Sequence, residues 1–308
     1  MRALMSASSR QRALRIVACF AILYFVWGST YVVNKFGLHQ LPPLLLGGAR
    51  FTIAGLVMVV LALTRGARLA NTRGEWRDVL VMGLLGVALS NAINLWALQY
   101  VMANQSALIN ASSAFWIAAF GTVGAKGNSL SLRARVGLGI GFVGVALILW
   151  PKDGLVPAVH WAELAILIGC FVWAICTIYY RHIENRLATF MFVGLQMLTG
   201  GLTMLIAGFA AGEASHWSWR PSGMLALAYL TLFGSCLAYA AFAYLARNTT
   251  PARLGTYSYV NPAVACLLAW MFLDEKVVAL QFVGMAVILL GVVLVTVENP
   301  GGTSPEDV

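Results

Sequence analysis

Apolar runs of about 20 residues recur along the whole chain. A helix of that length crosses a hydrocarbon core of about 30 Å. A closed β-barrel would show short strands of alternating polarity, which the sequence lacks, so the runs predict membrane-spanning helices. Turn-forming residues separate the runs, for example at Pro42-Pro43 and Pro151. The pattern predicts ten spans, at 16–36, 44–64, 79–100, 104–124, 132–150, 161–181, 188–210, 224–245, 252–273 and 278–297.

The composition agrees with an all-α membrane protein. Apolar residues make up 60% of the chain and charged residues only 10%, whereas about a quarter of the residues in a soluble domain are charged. The five cysteines lie inside apolar runs and form no CxxC pair, so neither a zinc site nor a disulfide framework is indicated. We expect no metal and no cofactor.

The positive charge of the chain is distributed by topology. Fifteen of the twenty Lys and Arg residues fall on one side of the predicted membrane and four on the other, with Arg50 inside span two. The basic side is normally cytoplasmic, which places both termini in the cytoplasm of a multi-pass protein of the bacterial inner membrane. The net charge of +9 then reflects contact with the anionic lipid bilayer and not with nucleic acid. The first run is too long for a signal peptide and is interpreted as a retained helix.

The two halves of the chain repeat. Phe25-Val26-Trp27 returns as Phe171-Val172-Trp173, and Gly55-Leu56-x-Met58 returns as Gly201-Leu202-x-Met204. Because each half holds five spans, an odd number, the second half enters the membrane in the opposite orientation. Such inverted repeats are typical of secondary transporters, whose site lies near the midplane between the halves. The predicted organisation is a cytoplasmic basic tail (1–15), a first five-helix repeat (16–150), a periplasmic linker (151–160), a second five-helix repeat (161–297) and a cytoplasmic tail (298–308).

Several local motifs carry a family resemblance that covers roughly 16–297. They are Trp27-Gly28-Ser29-Thr30-Tyr31, Ala49-Arg50-Phe51, Phe233-Gly234-Ser235, Pro251-Ala252, the stretch from Tyr257 to Ala265, Glu275 and the pair Gly284/Gly291. With these motifs the chain resembles the drug/metabolite transporter superfamily, in its ten-helix EamA-type branch.

The resemblance implies a central cavity bounded by spans one, three, four, six, eight and nine, and alternating access by movement of the two halves. Members of that superfamily export amino acids and other metabolites or exchange phosphorylated sugars, so the resemblance leaves the substrate open. The first half departs from the family pattern. Ser113 stands where relatives usually have proline, and Lys126-Gly127 where an acidic residue is expected, so a bend in span four is not assumed.

Polar and aromatic side chains inside the spans are the candidate substrate-binding groups, because such residues are rare in a membrane interior. Several share a helix face; Asn91 and Asn94, for example, lie close together on span three. The alternative for each is a structural role, since Ser, Thr and Asn also hold helices together and Trp often fills space. The candidates are Trp27, Thr30, Tyr31, Asn91, Asn94, Asn110, Ser113, Trp173, Ser235, Tyr239, Tyr257 and Asn261.

The charged residues inside the spans are few. Arg50 lies about six residues inside span two, where its side chain could extend to the membrane surface, play a structural role or bind an anionic substrate group. No carboxylate lies at a span centre, so facilitated export or exchange fits better than proton or sodium coupling. Glu163 is the nearest candidate for a proton carrier.

These features predict a secondary transporter that exports small metabolites, with amino acids or related amphipathic solutes as the leading class. An antiporter of phosphorylated metabolites or nucleotide sugars is the alternative, although such a site would hold several Lys or Arg residues. A membrane-embedded enzyme is the third hypothesis, and it lacks a recognisable catalytic group. The small-residue spacing Gly137-x3-Gly141 suits close helix packing or a homodimer face, and both alternatives stay open.

Overall fold

In the computed structural model, the described residues are 2–121, 132–148, 161–183, 187–249, 254, 257–276 and 278–296, and they form helices and turns without a strand. We label the continuous helices α1 to α10 in chain order. Three of them contain a central π-helical segment, and α4 is interrupted at Ala111. The helices are α1 (Arg2–Ile22, Leu23–Trp27 and Gly28–Leu38), α2 (Pro43–Thr64), α3 (Arg73–Val81, Met82–Leu89 and Ser90–Leu98), α4 (Ala103–Asn110 and Ser112–Gly121), α5 (Leu132–Ile148), α6 (Trp161–His182), α7 (Thr189–Ala210), α8 (Pro221–Tyr229, Leu230–Leu237 and Ala238–Asn248), α9 (Tyr257–Leu273) and α10 (Ala279–Thr296).

The described residues are helical, as predicted, and their apolar helices are consistent with a membrane protein. Six of the described helices, namely α1, α2, α3, α6, α7 and α8, are long and apolar enough to cross a membrane, and shorter apolar helices lie within α5, α9 and α10. Ten spans and an inverted repeat remain predictions. The helix α1 already begins at Arg2, so the predicted tail 1–15 is helical in its described part. The predicted linker 151–160 and the tail 298–308 lie outside the described residues.

Helix ends follow from local residue chemistry. Pro43 is the first residue of α2, where its missing N–H leaves no donor unsatisfied. Gly66, just beyond α2, has a φ of 76°, which a side chain would disfavour. At the start of α3 the Thr72 hydroxyl accepts a hydrogen bond from the backbone N–H of Glu75. These stops explain why the predicted bounds of span two agree with α2 to within one residue.

The π-helical segments of α3 and α8 lie at equivalent positions of the two halves. Met82–Leu89 and Leu230–Leu237 are each 8 residues long, and each lies in the third helix of its half. A π-helical turn holds an extra residue and leaves some carbonyl groups poorly paired, and it is frequent at functional sites. Both segments border the centre of the bundle, where such carbonyls can accept hydrogen bonds from side chains.

Helices at equivalent positions of the two halves pack against each other in antiparallel fashion. A Cβ atom built on Gly55 in α2 would lie 2.7 Å from the backbone nitrogen of Leu198 in α7. A Cβ atom built on Gly144 in α5 would lie 2.7 Å from the backbone nitrogen of Ile288 in α10, while Gly291 faces Gly137. Glycine therefore allows the two backbones of each pair to touch, which is how helices associate tightly in lipid.

Polar contacts join helix ends at one end of the bundle. Glu275, after α9, accepts hydrogen bonds from the backbone N–H groups of Ala103 (2.8 Å) and Asn104 (2.9 Å) at the start of α4. Glu213, after α7, likewise accepts from Leu44 (3.2 Å) and Leu45 (2.9 Å) at the start of α2. Carboxylates stabilise the positive end of a helix dipole. Each contact therefore connects the second half of the chain to the first.

Lys35 caps a helix at the same end of the bundle. Its ammonium group donates hydrogen bonds to the carbonyl oxygens of Leu98 (2.7 Å) and Val101 (2.6 Å), at and just beyond the end of α3. The last carbonyls of a helix have no partner within it and carry partial negative charge. Lys35 therefore connects α1 to α3.

Candidate functional site

A cavity of about 140 Å³ lies at the centre of the bundle. It has room for at least a few water molecules, each of which occupies ~30 Å³ in the liquid. Its lining comes from α1, α3, α4, α6, α8 and α9, with one further residue, Arg50, from α2. We call it the central cavity. These are the six helices that the family resemblance implies, and both halves of the chain contribute.

The structure brings almost all of the sequence-predicted site residues together around the central cavity. Ser235 is the exception, because it is fully buried and lies behind Arg50. Seven lining residues were not among the candidates. Four of them are Asn34, Ser90, Ser258 and Pro262, and the other three are the small residues Ala107, Ala111 and Gly169. The three small residues leave space in the cavity and offer no hydrogen-bonding side chain. For the two alanines, the only indication in the sequence was that they share a helix face with Asn110. The predicted residues that line the cavity are Trp27, Thr30, Tyr31, Arg50, Asn91, Asn94, Asn110, Ser113, Trp173, Tyr239, Tyr257 and Asn261.

Aromatic rings form one wall of the central cavity. The ring of Trp27 lies 6.0 Å from that of Trp173, the residue at the matching position of the second half. Trp27 also contacts Tyr257 at 5.2 Å and Tyr239 at 5.4 Å, and Phe242 packs behind both tryptophans. Most of these pairs meet edge to face, the arrangement that the ring quadrupole favours. We call these five residues the aromatic cluster.

The aromatic cluster is held in place by hydrogen bonds. The indole N–H of Trp173 donates to the Tyr257 hydroxyl at 2.9 Å. The indole N–H of Trp27 donates to the carbonyl oxygen of Gly234 at 3.1 Å, within the π-helical segment of α8. An aromatic wall with its polar atoms fixed can receive an apolar group, or a cation over a ring face.

The asparagines of α3 and α4 face the cavity, with part of their hydrogen-bonding capacity in use. The Asn91 amide donates to the carbonyl oxygen of Val87 at 2.9 Å, in the π-helical segment of α3. The Asn110 amide donates to Asn94 Oδ1 at 3.0 Å, which joins α4 to α3. Because an amide has two donors and an acceptor with two lone pairs, each side chain still has capacity for a solute.

Asn261 connects α9 to the π-helical segment of α1. With its amide oriented to satisfy its neighbours, the nitrogen donates to the carbonyl oxygens of Leu23 (3.1 Å), Tyr24 (3.2 Å) and Tyr257 (3.0 Å). The side chain is 4% exposed and still borders the cavity. Its role in holding the bundle is therefore at least as clear as any contact with a solute.

The interruption of α4 lies beside the cavity. The interruption is the single residue Ala111, whose φ of −58° and ψ of −26° stay in the helical region. The Ser113 hydroxyl lies 3.2 Å from that of Ser258 in α9. The interruption therefore involves no proline and lies in a segment where α4 meets α9.

Arg50 does not extend to the membrane surface, contrary to one of the three roles that the sequence allowed. Its side chain is buried, with 4% exposure, and lines the central cavity. The Nε–H group donates to the Ser235 hydroxyl at 2.7 Å. The guanidinium carbon lies 4.7 Å from the ring centre of Phe51, within range of a cation–π contact.

Carboxylates lie away from the central cavity in the part of the chain that the structure describes. Glu163 is buried and accepts a hydrogen bond from the Gln105 amide, outside the cavity lining. Glu213 and Glu275 cap helices. The described lining of the cavity therefore offers amides, hydroxyls, aromatic faces and one guanidinium.

A bundle of long apolar helices around a polar central cavity is the architecture of a multi-pass membrane protein. The model of the EamA-like transporter family matches residues 14–150 and, a second time, residues 160–297. The chain belongs to this family. Its members are named as transporters and not as enzymes.

Two relatives of the chain are also named as transporters. The uncharacterized inner membrane transporter YedA of Escherichia coli K12 is 36% identical over 91% of this chain and 89% of its own length. The uncharacterized transporter YvbV of Bacillus subtilis is 26% identical over 92% of each chain. A solved crystal structure with 18% identity matches with a TM-score of 0.67 over 92% of this chain and 96% of that one, so the two share a fold.

Proposed function

We propose that the protein is a secondary transporter that exports small polar or amphipathic metabolites by alternating access, with amino acids as the leading substrate class. The observation that carries this proposal is the central cavity, which both halves line with hydrogen-bonding and aromatic side chains. Polar side chains in a membrane interior are expensive unless they pair or border water. A solute that makes hydrogen bonds can replace that water.

The proposed movement uses the two halves as an inverted repeat of five spans each. The antiparallel packing of α2 with α7 and of α5 with α10 supports this arrangement, as does the second match to the family model. In inverted-repeat transporters one half rocks against the other around a site at their interface. The pairs Trp27–Trp173 and Asn91–Tyr239, which meet across the centre, would lie at that interface.

We propose that both termini lie in the cytoplasm of the bacterial inner membrane, because the basic residues concentrate on that side. Export by facilitated diffusion or exchange fits the site, since no carboxylate is among the described residues that line the cavity. Phosphorylated metabolites and nucleotide sugars are less well supported. A phosphate site normally holds several basic groups, and Arg50 is the one cation in the described lining.

The test is counterflow into proteoliposomes that contain purified protein. Vesicles are loaded with one unlabelled amino acid at a time, or with a sugar phosphate, and uptake of the same labelled solute is measured. We expect accumulation above protein-free vesicles for at least one amino acid and for none of the sugar phosphates.

A matched pair of variants shows whether the central cavity is the route. Asn110→Phe places a bulky ring in the cavity lining, whereas Gly139→Phe adds the same ring at an exposed position where nothing lies within 4 Å. Counterflow should disappear in the first variant and persist in the second. Equal counterflow in both would exclude the cavity as the route, and no counterflow of any amino acid by the wild type would refute the substrate class.

A further inference from the structure

Arg50 is a buried cation without an anionic partner among the residues that the structure describes. The two ion pairs among the described residues are Arg68–Glu75 and Arg77–Asp78, and both lie at the start of α3. The Nε–H group of Arg50 donates a hydrogen bond to the Ser235 hydroxyl, and its guanidinium contacts the ring of Phe51. Both of these partners are neutral. The four N–H donors on Nη1 and Nη2 are not used in any hydrogen bond to a described residue.

A buried charge without an anionic partner is unfavourable for folding. Moving an ion out of water costs several kcal/mol even after the protein relaxes, and a neutral hydroxyl offsets only part of that cost. Intramembrane ionisable residues therefore usually face a pathway or a ligand. Arg50 does so, since it lines the central cavity.

The neighbours of Arg50 hold the guanidinium in one orientation. Ser235 fixes Nε at 2.7 Å, and the Phe51 ring lies under the guanidinium carbon at 4.7 Å. Gly234 keeps the space open, because a Cβ atom there would lie 3.1 Å from Nη2. With Nε occupied, the remaining donors are the pair of NH₂ groups, whose fork geometry matches the two oxygens of a carboxylate.

We propose that the central cavity recognises a solute with one carboxylate, which binds the NH₂ groups of Arg50 while the aromatic cluster receives its apolar part. The proposal rests on the proposed transport function and names the substrate class of the same site. The guanidinium–carboxylate pair is electrically neutral, so the solute supplies the charge compensation that Arg50 lacks, and the ammonium group of an amino acid would lie over a ring face of the aromatic cluster. A phosphate dianion would leave an uncompensated negative charge, because the described lining has no second cation. Ser235 is a positioning residue in this arrangement.

The experiment measures dissociation constants for matched probes on the purified full-length protein in detergent. The probes are L-leucine and L-phenylalanine, the keto acids that keep the carboxylate but lack the ammonium group, and the amides that keep the ammonium group but lack the carboxylate. We expect the amino acid or keto acid of at least one set to bind and the corresponding amide to bind at least tenfold more weakly. Amides that bind as well as carboxylates, or no binding by any carboxylate, would overturn the proposal.

Three substitutions separate recognition from a structural role. Arg50→Met keeps much of the volume without the charge and should weaken carboxylate binding by roughly 30-fold or more, the typical effect of removing one partner of a buried charge pair. Arg50→Lys should restore part of it, because the charge remains but the fork is lost. Arg220→Gln removes an arginine from an exposed position and should leave binding unchanged.

The thermal stability of the ligand-free variants gives an independent readout. If Arg50 serves to bind the solute, the ligand-free Arg50→Met variant should unfold at the same temperature as the wild type or a higher one, because an uncompensated buried charge has been removed. If Arg50 is structural, the variant should unfold at a lower temperature with unchanged ligand binding, and the proposal is then wrong. Counterflow that persists for an uncharged solute would refute the carboxylate requirement and leave the transport function in place.

Discussion

Replacing Glu275 by Gln tests whether contacts between the two halves stabilise the bundle. The carboxylate accepts two backbone hydrogen bonds at the first turn of α4, at 2.8 and 2.9 Å. Glutamine keeps one acceptor, so one charge-assisted bond of about 1.5 kcal/mol is lost and the other weakens by about half. The interaction of the charge with the helix dipole adds ~0.3–1 kcal/mol. We expect a total loss of about 2–3 kcal/mol.

The assay is thermal unfolding in detergent, followed with a dye that fluoresces on reaction with thiols. Cys170, Cys176 and Cys266 are free and buried, so they report loss of the packed bundle. At about 2–4 °C per kcal/mol, the expected decrease in the midpoint is roughly 4–12 °C.

The matched control is Asp274→Asn, which removes the same charge from the neighbouring residue. Asp274 is exposed, and its φ of 54° is one that asparagine tolerates. We expect its midpoint to change by less than about 2 °C, as for most surface substitutions. The same decrease in Asp274→Asn as in Glu275→Gln would show that net charge, and not helix capping, is responsible, and no decrease in Glu275→Gln would refute the argument.

Three further outcomes follow from the same contacts. Asn261→Leu should abolish counterflow, because the carbonyl groups of the α1 π-helical segment lose their hydrogen-bond donor, while the protein still inserts into the membrane. Full activity of this variant would exclude Asn261 from the site. Gly144→Leu should lower stability by about 1–3 kcal/mol, since its side chain would collide with the backbone of α10, and an unchanged unfolding midpoint would contradict that packing. Lys35→Met should cost about 1 kcal/mol through loss of its bonds to the end of α3, less than two fully buried charged bonds because Lys35 is only half-buried. The same thiol assay compares it with Lys276→Met, an exposed lysine, and equal midpoints in the two variants would contradict the capping role.

Much of the fold could be predicted from the sequence because hydrophobic runs of membrane length have one solution, the helix. The bounds of α2 and α7 were predicted to within one residue, since proline, glycine and polar loops mark their ends. The cavity lining was also largely predictable, because a polar side chain in a span must face protein or water. That argument selected Asn94, Asn110 and Tyr257 without any structure.

Other features depend on three-dimensional contacts that sequence spacing does not encode. The partners of Glu275 and Glu213 lie far away in the chain, so both carboxylates could be assigned to loops but not to helix ends. The orientation of Arg50 was undecided because snorkelling and burial are both open to a long side chain near a helix end. The π-helical segments have no simple residue signature, and the small cavity-lining residues resemble those of any packed helix face.

The π-helical segments make helix register a determinant of the site. If Met82–Leu89 became regular α-helix without the loss of a residue, the residue that the π-helical turns take up would be added to the helix, and every later side chain would rotate by about 100° and shift by ~1.5 Å. Asn91 would then turn away from Tyr239 without having been substituted. The same holds for Leu230–Leu237 and Tyr239 in α8. In these two helices a change in helix type is therefore as consequential as a change in residue type.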